Sequence, residues 1–371
     1  MLAGYWQAGR QLFKDDTNPA SRLAGVRTLF TDMAADPGAA GCVNLRNEGL
    51  EGSVSFVYAL AVLHVLSRQQ CVQMLKRVHD MLLPDKQLKF LSAYTGITDL
   101  ESLRQHVLLV WQEVKKNQHV YCCIQAMSFL APKVQDHPQY KAVLAASALH
   151  KQQQQQSGGG SNTTTTPLQI LDLGCCFGQD TRQLLMDGIP AGGIIASDIH
   201  DGYWQAGRQL FKDDTNPASR LAGVRTLFTD MAADPGAEGC VDLSAEGLEG
   251  SVSFVYALAV LHVLSRQQCV QMLQRVHDML LPGVGTFFGW TVGAEVEAEW
   301  AKTPTGEAPR YLHSKASLAK LFEELGYDEV SVTEADFTRE VTQSAGMQKL
   351  MADGAVPRTR LSFVARRKAL Q

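Results

Sequence analysis

A stretch near the middle of the chain, ILDLGCCFGQD at residues 170–180, constrains the fold more than any other. An apolar segment runs directly into a turn that contains Gly174 and Gly178, and the turn leads into a helical sequence, DTRQLLMDG, that ends at Gly188. In α/β proteins this order of strand, glycine turn and helix brings main-chain N–H groups up to a ligand. A second apolar run ends at Asp198, twenty residues after the turn, where an acidic side chain suits a ribose hydroxyl.

The spacing of the glycines excludes two common nucleotide-binding motifs. The glycines are separated as G-x-x-x-G, so neither the phosphate-binding loop nor the GxGxxG fingerprint of dinucleotide-binding domains is present. A glycine turn by itself is only a weak indication of function. The interpretation of this turn therefore depends on the sequence around it.

Strand and helix patterns alternate from Leu168 onward, and this alternation predicts a parallel sheet. One predicted strand is almost continuously apolar, as expected of a central strand that is covered on both faces. Ser265 and Ser314 are placed to cap the helices that follow the fourth and fifth strands. The predicted strands are Leu168–Leu173, a run ending at Ser197, a run ending near Asp230, Val252–Val260, GTFFGWTV at 285–292, Glu329–Glu334 and Arg360–Ala365.

Helices are predicted on the N-terminal side of this alternation. Thr98 and Glu101 have the form of a capping box, and apolar residues from Leu100 to Val114 then recur at helical spacing. A second helical stretch is predicted around Gln139–His150. The segment Lys151–Thr166, KQQQQQSGGGSNTTTT, has no apolar residue to bury and is predicted to be a flexible surface insertion.

The N-terminus repeats a later part of the chain almost unchanged. Gly4–Pro84 matches Gly202–Pro282 at a constant offset of 198, and only five positions differ. Polar and apolar positions are preserved equally, which indicates a recent copy and not two sequences that converged on one fold. The copy lacks the first strand and the glycine turn, and two isolated parallel strands leave their edges unpaired. We therefore predict that Asp32 and His64 are not site residues.

Composition argues against several classes of partner. The formal net charge is −4 and the positive residues are scattered, which is untypical of proteins that bind nucleic acid or anionic membranes. No apolar run approaches the ~20 residues of a membrane span, and no signal-peptide pattern is seen, so a cytoplasmic location is predicted. The cysteine pairs Cys122–Cys123 and Cys175–Cys176 lack zinc-ligand spacing, so no metal and no disulfide is expected.

At ILDLGCCFG the sequence resembles motif I of the class I S-adenosylmethionine-dependent methyltransferases, whose usual form is hhDhGxGxG. Cys176 replaces the middle glycine and Phe177 follows it, but this CCFGQD version is similar to a group of fungal methyltransferases that tailor secondary metabolites. The resemblance covers roughly Lys86–Gln371. Its further matches are SAYTGI at 92–97, GYWQAGRQLFKD at 202–213, LHVL at 261–264 and YLHSKASLAKLFEELG at 311–326.

The resemblance implies an α/β fold, a Rossmann-like, mostly parallel sheet of seven strands with an N-terminal helical cap. It also implies a division of the chain into four parts. These are a non-catalytic copy at 1–84, a helical cap at 85–150, the low-complexity insertion at 151–166 and the methyltransferase core at 167–371.

The resemblance further implies S-adenosyl-L-methionine as the cofactor and a small molecule as the methyl acceptor. In that family the acid of the first strand and the glycine turn flank the methionine part, the acid after the second strand binds the ribose, and the acid after the third strand binds the adenine with its neighbour. Each acid could also be an ordinary solvated turn residue. The predicted cofactor-binding residues are Asp172, Gly174, Cys175, Cys176, Phe177, Gly178, Asp198, Ile199, Asp230, Met231 and Ala257.

Candidate residues for the acceptor and for proton transfer are fewer. His262 follows the central strand and is a candidate general base, although a structural histidine is at least an equal interpretation. Tyr94, Trp111 and Tyr121 are candidate walls of the acceptor pocket, with packing of the cap as the alternative. Arg310 could pair with an acidic acceptor, with a salt bridge at the rim as the alternative.

Together these observations predict an enzyme that methylates a small molecule, by analogy at a carboxyl or hydroxyl oxygen, in secondary-metabolite biosynthesis. Two alternatives remain open at this point. One is a nicotinamide-dependent oxidoreductase of the Rossmann type, and the other is a degenerate protein without activity. The sequence predicts no oligomeric state.

Overall fold

The computed structural model describes the chain from residue 85 onward, with gaps. The chain divides between Pro84 and Asp85 into two units. The first unit contains the predicted copy, so the predictions for Asp32 and His64 lie outside the described residues. The described residues are 85–117, 121, 124, 127–156, 167–216, 219–234, 236–237, 239–300, 310–336 and 359–369.

A sheet of seven strands forms the centre of the described part of the chain. Its strands are β1 Ile170–Leu173, β2 Ile194–Asp198, β3 Arg225–Phe228, β4 Phe254–Leu258, β5 Thr286–Gly293, β8 Tyr327–Asp336 and β9 Thr359–Arg367. Their order is β3-β2-β1-β4-β5-β9-β8. The pairs from β3 to β5 are parallel, whereas β9 runs antiparallel to β5 and β8. The predicted seven-stranded, mostly parallel sheet is confirmed.

Helices precede the sheet and cross between its strands. Among the described residues, three α-helices belong to the N-terminal cap, α1 Asp85–Thr95, α2 Leu100–Asn117 and α3 Tyr140–Gln156. Four more follow in the described part of the core, α4 Gln179–Met186, α5 Asp201–Phe211, α6 Arg266–Met279 and α7 Lys315–Glu324. Short 3-10 turns lie at Ser128–Leu130, Val134–Asp136, Ala191–Gly193 and Leu261–Val263. None of the described helices is long and apolar enough to cross a membrane.

Burial explains why the central strands are so apolar. All four residues of β1 and all eight of β5 are buried, because helices cover both faces of the sheet there. The main core cluster joins β4 and β5 to α6 and α7 through side chains such as Val255, Phe287 and Phe322. The carboxyl ends of β1, β2 and β4 therefore stand on a rigid base.

Two of the predicted helix caps are confirmed and one is wrong. Ser265 and Ser314 each accept a hydrogen bond from the third residue of their helices in complete capping boxes. Thr98 does not cap α2, because the carboxylate of Asp99 accepts the N–H of Ser102 at 2.8 Å and the helix begins at Leu100. Leu100 is 39% exposed, so the buried stripe of α2 begins later than predicted. That stripe consists of Leu103, Val107, Val110, Trp111 and Val114.

Two further predictions differ from the structure. Lys151–Gln156, predicted as flexible, continues helix α3, and the remainder of that segment lies outside the described residues. Arg310 and Tyr311, for which no strand was predicted, lie in a short strand, β7 Arg310–Leu312, which pairs antiparallel with β6 Ala298–Trp300. Helix α7 begins only after Ser314. Both differences extend regular structure beyond what the pattern indicated.

Candidate functional site

A cavity of about 320 Å³ lies at the carboxyl ends of β1, β2, β3 and β4, where open α/β sheets bind ligands. The cap contributes one wall through Tyr121, Ile124, Ser128, Phe129 and Lys133. Among the described residues that line it, eight were predicted as site residues: Tyr121, Asp172, Gly174, Cys176, Asp198, Ile199, Asp230 and Met231. The cavity therefore gathers the segments that follow successive strands.

Gly174 and Gly178 both have a left-handed backbone, with φ of 75° and 71°. A Cβ at Gly174 would lie 2.5 Å from Cγ2 of Val260, and one at Gly178 would lie 2.5 Å from the ring of Trp204. The amides of Gly174 and Cys175 both donate to the carbonyl of Ser197, at 2.8 and 2.9 Å. At these two positions the turn is packed too closely against Val260 and Trp204 for any larger residue.

Cys176 occupies the place of the middle glycine in the usual motif, and its φ of 53° is also left-handed. A non-glycine residue in this region costs about 1–2 kcal/mol. The Cys176 N–H donates to Oδ2 of Asp198 at 2.8 Å. This hydrogen bond fixes the turn in its strained form, because it is made to a carboxylate.

Asp198 links the glycine turn to the end of β2. Its Oδ1 accepts the N–H of His200 at 3.0 Å while Oδ2 accepts from Cys176. Burial is the main cause that raises the pKa of Asp198, although these N–H groups oppose the shift. Each carboxylate oxygen has a second lone pair, so each could accept one further hydrogen bond from a ligand hydroxyl.

Asp172 lies at the base of the cavity and is only 3% exposed. The hydroxyl of Thr181 donates to its Oδ2 at 2.7 Å. Burial, together with the nearby charge of Asp180, raises the pKa of Asp172. Two carboxylates so close in a buried position favour a positively charged group beside them.

Asp180, which was not predicted as a site residue, joins the cap to the glycine turn. It lies in the first turn of α4, and its Oδ1 accepts the main-chain N–H groups of Lys133 and Val134 at 2.6 and 2.7 Å. Burial raises its pKa, while these hydrogen bonds lower it. The cap segment that lines the cavity is therefore held by a residue of the core.

The electrostatic character of the cavity is acidic. Of the described lining residues, the carboxylates are Asp172, Asp180, Asp198 and Asp230, whereas Lys133 is the single lysine or arginine. Three further lining residues of the described chain have a buried polar atom without a hydrogen-bond partner: Oε1 of Gln179, Oγ of Ser197 and Nε1 of Trp290. Such atoms are uncommon in folded proteins and indicate where a polar ligand binds.

The end of β3 forms the remaining wall. Asp230 accepts the N–H of Ala232 at 2.8 Å, and the side chain of Met231 is 4% exposed. Arg275 of α6 holds this loop from behind, because its guanidinium donates to the carbonyl of Met231 at 2.6 Å. Met231 and Asp230 thus place an apolar side chain beside a carboxylate. Such a pair suits a purine ring that carries an exocyclic amine.

Comparison with known proteins points to one group of enzymes. O-methyltransferase phiE of a fungal species is 29% identical over 258 residues, which are 67% of this chain and 77% of the relative. O-methyltransferase atr3 of Stereocaulon alpinum is 30% identical over 61% of this chain and 58% of its own length. Methyltransferase ausD of Penicillium brasilianum is 30% identical over 55% of this chain and 64% of its own. The chain thus spans about three fifths to three quarters of these relatives. No protein-family model matches it.

This chain has the class I methyltransferase fold and is related to fungal methyltransferases. A solved N1-methyltransferase of Burkholderia thailandensis, with 1,6-didemethyltoxoflavin and S-adenosylhomocysteine bound, is 16% identical and covers 63% of this chain and 80% of its own. Its TM-score is 0.37, so that superposition carries no argument about the site. The strand order and the antiparallel β9 identify the fold independently.

Four residues predicted to bind the cofactor do not line the cavity. Cys175 is 2% exposed because it packs with Ala196 and Trp204, and Phe177 is buried by stacking on Phe129 at 4.0 Å between ring centroids. The other two are Gly178, which lies beneath Trp204 and Arg182, and Ala257, which is enclosed in the sheet between Leu173 and Gly289. The side chains of Cys175 and Phe177 support the turn from behind.

His262, the predicted candidate base, also lies outside the residues that line the cavity. Its main-chain N–H donates to Oγ1 of Thr291 at 3.0 Å, and its Nδ1 lies 3.3 Å from the same oxygen. Burial, together with the charge of Arg310, lowers its pKa to about 3. A neutral imidazole of such low basicity, bonded to a neighbouring side chain, has the properties of a structural histidine.

Three candidate acceptor residues pack elsewhere. The hydroxyl of Tyr94 donates to Oδ1 of Asp213 at 2.9 Å, and Asp213 forms a buried ion pair with Arg182. Trp111 is buried in the stripe of α2, and Arg310 is 5% exposed in β7. Tyr121 alone of these candidates lines the cavity.

Lys133, His200 and Trp290 are among the described lining residues that were not predicted from the sequence. His200 follows Asp198 by two residues, so the carboxyl-end rule that selected Asp198 could have included it. Lys133 lies in an unpatterned part of the cap, and Trp290 has the appearance of an ordinary core residue of β5. Only tertiary contacts place these two beside the cofactor-binding segments.

Proposed function

We propose that this chain is an S-adenosyl-L-methionine-dependent methyltransferase that transfers a methyl group to an oxygen of a small molecule. The observation that carries the proposal is the single acidic cavity that joins the glycine turn, Asp198 and Asp230 at the carboxyl ends of adjacent strands. The order of these groups matches the order in which the cofactor's methionine, ribose and adenine parts follow one another.

The residues present fit this cofactor in charge and in space. The glycine turn has no room for a Cβ at Gly174, so its backbone can approach a ligand closely. Asp172 and Asp180 would compensate the ammonium and sulfonium charges, and the free lone pairs of Asp198 would accept the ribose hydroxyls. Asp230 and Met231 would hold the adenine.

When bound, S-adenosyl-L-methionine would supply a methyl group that is activated by its positively charged sulfur. The acceptor oxygen would form the new bond to the methyl carbon, and the sulfur would keep the electron pair of the C–S bond that breaks. The chain's own task is alignment and exclusion of water. Leu258, Val260 and Leu264 line the cavity after β4 and present apolar side chains there.

Oxygen as the methylated atom rests on two points. Two of the relatives are O-methyltransferases by name. A carboxylate acceptor is also ionised at neutral pH and needs no general base, which agrees with the position of His262 outside the cavity. We propose secondary metabolism as the setting on the same similarity.

Titration calorimetry tests the proposed cofactor. We expect S-adenosyl-L-methionine and S-adenosylhomocysteine to bind and NADH not to bind. Binding of NADH instead would support the oxidoreductase alternative, and binding of neither would support a degenerate protein. Transfer of a radiolabelled methyl group to members of a panel of phenols and aromatic acids then tests the reaction, and the mass of the product's methyl ester or ether identifies the methylated atom.

A further inference from the structure

One end of the cavity differs in charge from the rest. The carboxylates lie at the ends of β1, β2 and β3 or begin α4, whereas the ammonium of Lys133 lies 5.6 Å from the ring centroid of Trp290 in β5. The charge of Lys133 also acts on Asp180, where it opposes the rise in pKa that burial causes. The guanidinium of Arg360, from the neighbouring strand β9, lies 4.5 Å from the centroid of the same ring but does not line the cavity. Lys133 is therefore the positive charge that the described lining presents beside Trp290.

Trp290 itself carries a polar group that the fold leaves unused. The residue is 8% exposed, and its Nε1–H has no hydrogen-bond partner within the described part of the chain. An indole N–H donates and cannot accept, so the group it binds must be an acceptor. Burial of such a donor without a partner is unfavourable, and it is offset when a ligand supplies an oxygen.

We propose that Lys133 and Trp290 form an anion-binding corner that recognises a carboxylate or phenolate oxygen of the methyl acceptor. This inference rests on the proposed function and names the residues that select the acceptor. Lys133 supplies the charge, the indole N–H supplies a directed hydrogen bond, and the indole ring supplies an apolar wall for an aromatic acceptor.

The corner lies on the acceptor side because the residues at the other end of the cavity are those that we propose bind the cofactor. The glycine turn, Asp198 and Asp230 follow β1, β2 and β3, in the order of the cofactor's parts. Trp290 lies in β5, beyond β4, and the segment Leu258–Leu264 separates it from the acids after β2 and β3. An anion there lies next to the methionine end, where the methyl group is transferred.

The main chain at Lys133 is held in place by a residue of the core. Its main-chain N–H and that of Val134 are both bonded to the buried carboxylate of Asp180. Arg310, predicted from the sequence to pair with an acidic acceptor, is buried in β7 and does not line the cavity. Lys133 takes the role that the sequence analysis gave to Arg310.

Binding of matched acids and amides to the full chain saturated with S-adenosylhomocysteine tests this inference. The probes are benzoate and 2-naphthoate, with benzamide and 2-naphthamide as neutral partners of the same shape. The variants are Lys133→Met, Lys133→Arg and Trp290→Phe, with Lys141→Met, an exposed lysine of α3, as the control. Saturation-transfer NMR measures weak binding, and calorimetry measures the affinity for S-adenosylhomocysteine.

We expect the parent to prefer each acid over its amide by about tenfold or more, since a charge-assisted hydrogen bond contributes about 1.5–3 kcal/mol. Lys133→Met should remove the preference, Lys133→Arg should keep most of it, and Trp290→Phe should reduce it several-fold. Lys141→Met should leave it unchanged. All variants should bind S-adenosylhomocysteine within about twofold of the parent, which also shows that they are folded.

Three results would overturn the inference. The first is no preference of the parent for acids, and the second is a preference that survives in Lys133→Met. The third is a loss of S-adenosylhomocysteine affinity in Lys133→Met with unchanged acid binding, which would assign Lys133 to the cofactor's own carboxylate. If the parent binds no S-adenosylhomocysteine, the proposed function fails as well, and this outcome is distinct from the other three.

Discussion

At the β1–β3 end of the cavity the acidic lining residues lie at or directly after strand ends, whereas the polar groups of the β4–β5 end come from distant parts of the chain. Asp172, Gly174 and Asp198 belong to two short segments with a recognisable pattern. Lys133 and Trp290 are brought together by the docking of the cap on the sheet. The first end is a property of local sequence, and the second is a property of tertiary packing.

This difference has a functional consequence. On the proposed function, the end that is set by a local motif would bind the cofactor, and the end that is set by cap docking would distinguish acceptors. Side chains of the cap could change while its main chain keeps the two hydrogen bonds to Asp180. The following experiments test that separation, beginning with the largest expected effect.

Substitution of Gly174 by alanine should abolish cofactor binding at the β1–β3 end. The left-handed φ costs ~1–3 kcal/mol for alanine, and the new Cβ would lie 2.5 Å from Val260. We expect the affinity for S-adenosylhomocysteine, measured by calorimetry, to fall roughly 100-fold or more. Gly192→Ala is the matched control, because a Cβ there meets no atom within 4 Å. Unchanged affinity in Gly174→Ala would place the cofactor elsewhere.

Asp198→Ala should weaken S-adenosylhomocysteine binding by about 1–3 kcal/mol, because it leaves the ribose hydroxyls unmatched and releases the Cys176 N–H. Calorimetry of this variant and of Asp214→Ala, an exposed aspartate outside the cavity, provides the comparison. An affinity within twofold of the parent would remove Asp198 from the site.

His137 should make the attachment of the cap sensitive to acid. Its Nδ1 accepts the N–H of Gln139 at 3.2 Å, and its Nε2 lies 3.1 Å from Oγ of Ser362 in β9. Protonation of His137 would place a hydrogen on Nδ1, directly opposite the N–H of Gln139. Burial is the largest cause that lowers the pKa of His137 from 6.5 to about 4.

The folded form therefore binds fewer protons than the unfolded form between these values. The stability that His137 contributes is present above pH 6.5 and is lost as the pH falls toward 4. Chemical denaturation at pH 7.5 and 4.5 should show that His137→Gln, which does not titrate, loses about 2 kcal/mol less than the parent. Equal losses would show that the histidine does not govern the acid response.

His262→Gln should have only a small effect on turnover, because His262 does not line the cavity and bonds Thr291. With the acceptor that the methyl-transfer panel identifies, we expect turnover within about tenfold of the parent and little dependence on pH, as an ionised acceptor needs no base. A loss of about a hundredfold or more with unchanged cofactor affinity would restore His262 as a general base.

The smallest effect is expected from removal of the first 84 residues. A chain that begins at Asp85 keeps every described residue that lines the cavity. We expect S-adenosylhomocysteine to bind it within about twofold of the full chain, a difference of ~0.4 kcal/mol. A truncated chain that is folded by circular dichroism but binds no cofactor would make the copied segment part of the working site.

The sequence was sufficient to predict the parts whose physics is local. The sheet, the caps at Ser265 and Ser314 and the acids after three strands all follow from patterns of a few residues. The ribbon β6–β7 was not predicted because strand pairing stabilises it. The continuation of α3 through residues 152–156 was not predicted because these glutamines are exposed and carry no apolar periodicity.

Several predicted site residues do not line the cavity, and the reason is again tertiary packing. The motif places Cys175 and Phe177 beside the cofactor, but the twist of the turn directs their side chains into the core. His262 follows a central strand as a catalytic residue would, yet a hydroxyl on the neighbouring strand engages it. Nothing in the sequence near Asp180 indicates that its carboxylate binds a cap segment far away in the chain.

That carboxylate of Asp180 sets a rule for anyone who exchanges parts between such enzymes. The two N–H groups it accepts belong to the segment that carries the selecting lysine, while its own backbone continues the glycine turn. A chimera joined anywhere between the cap and the first strand must therefore bring in a cap whose main chain presents the same two donors. A foreign cap without these two N–H groups would leave the buried carboxylate of Asp180 without those hydrogen bonds. It would thereby destabilise the glycine turn, which belongs to the part that was not exchanged.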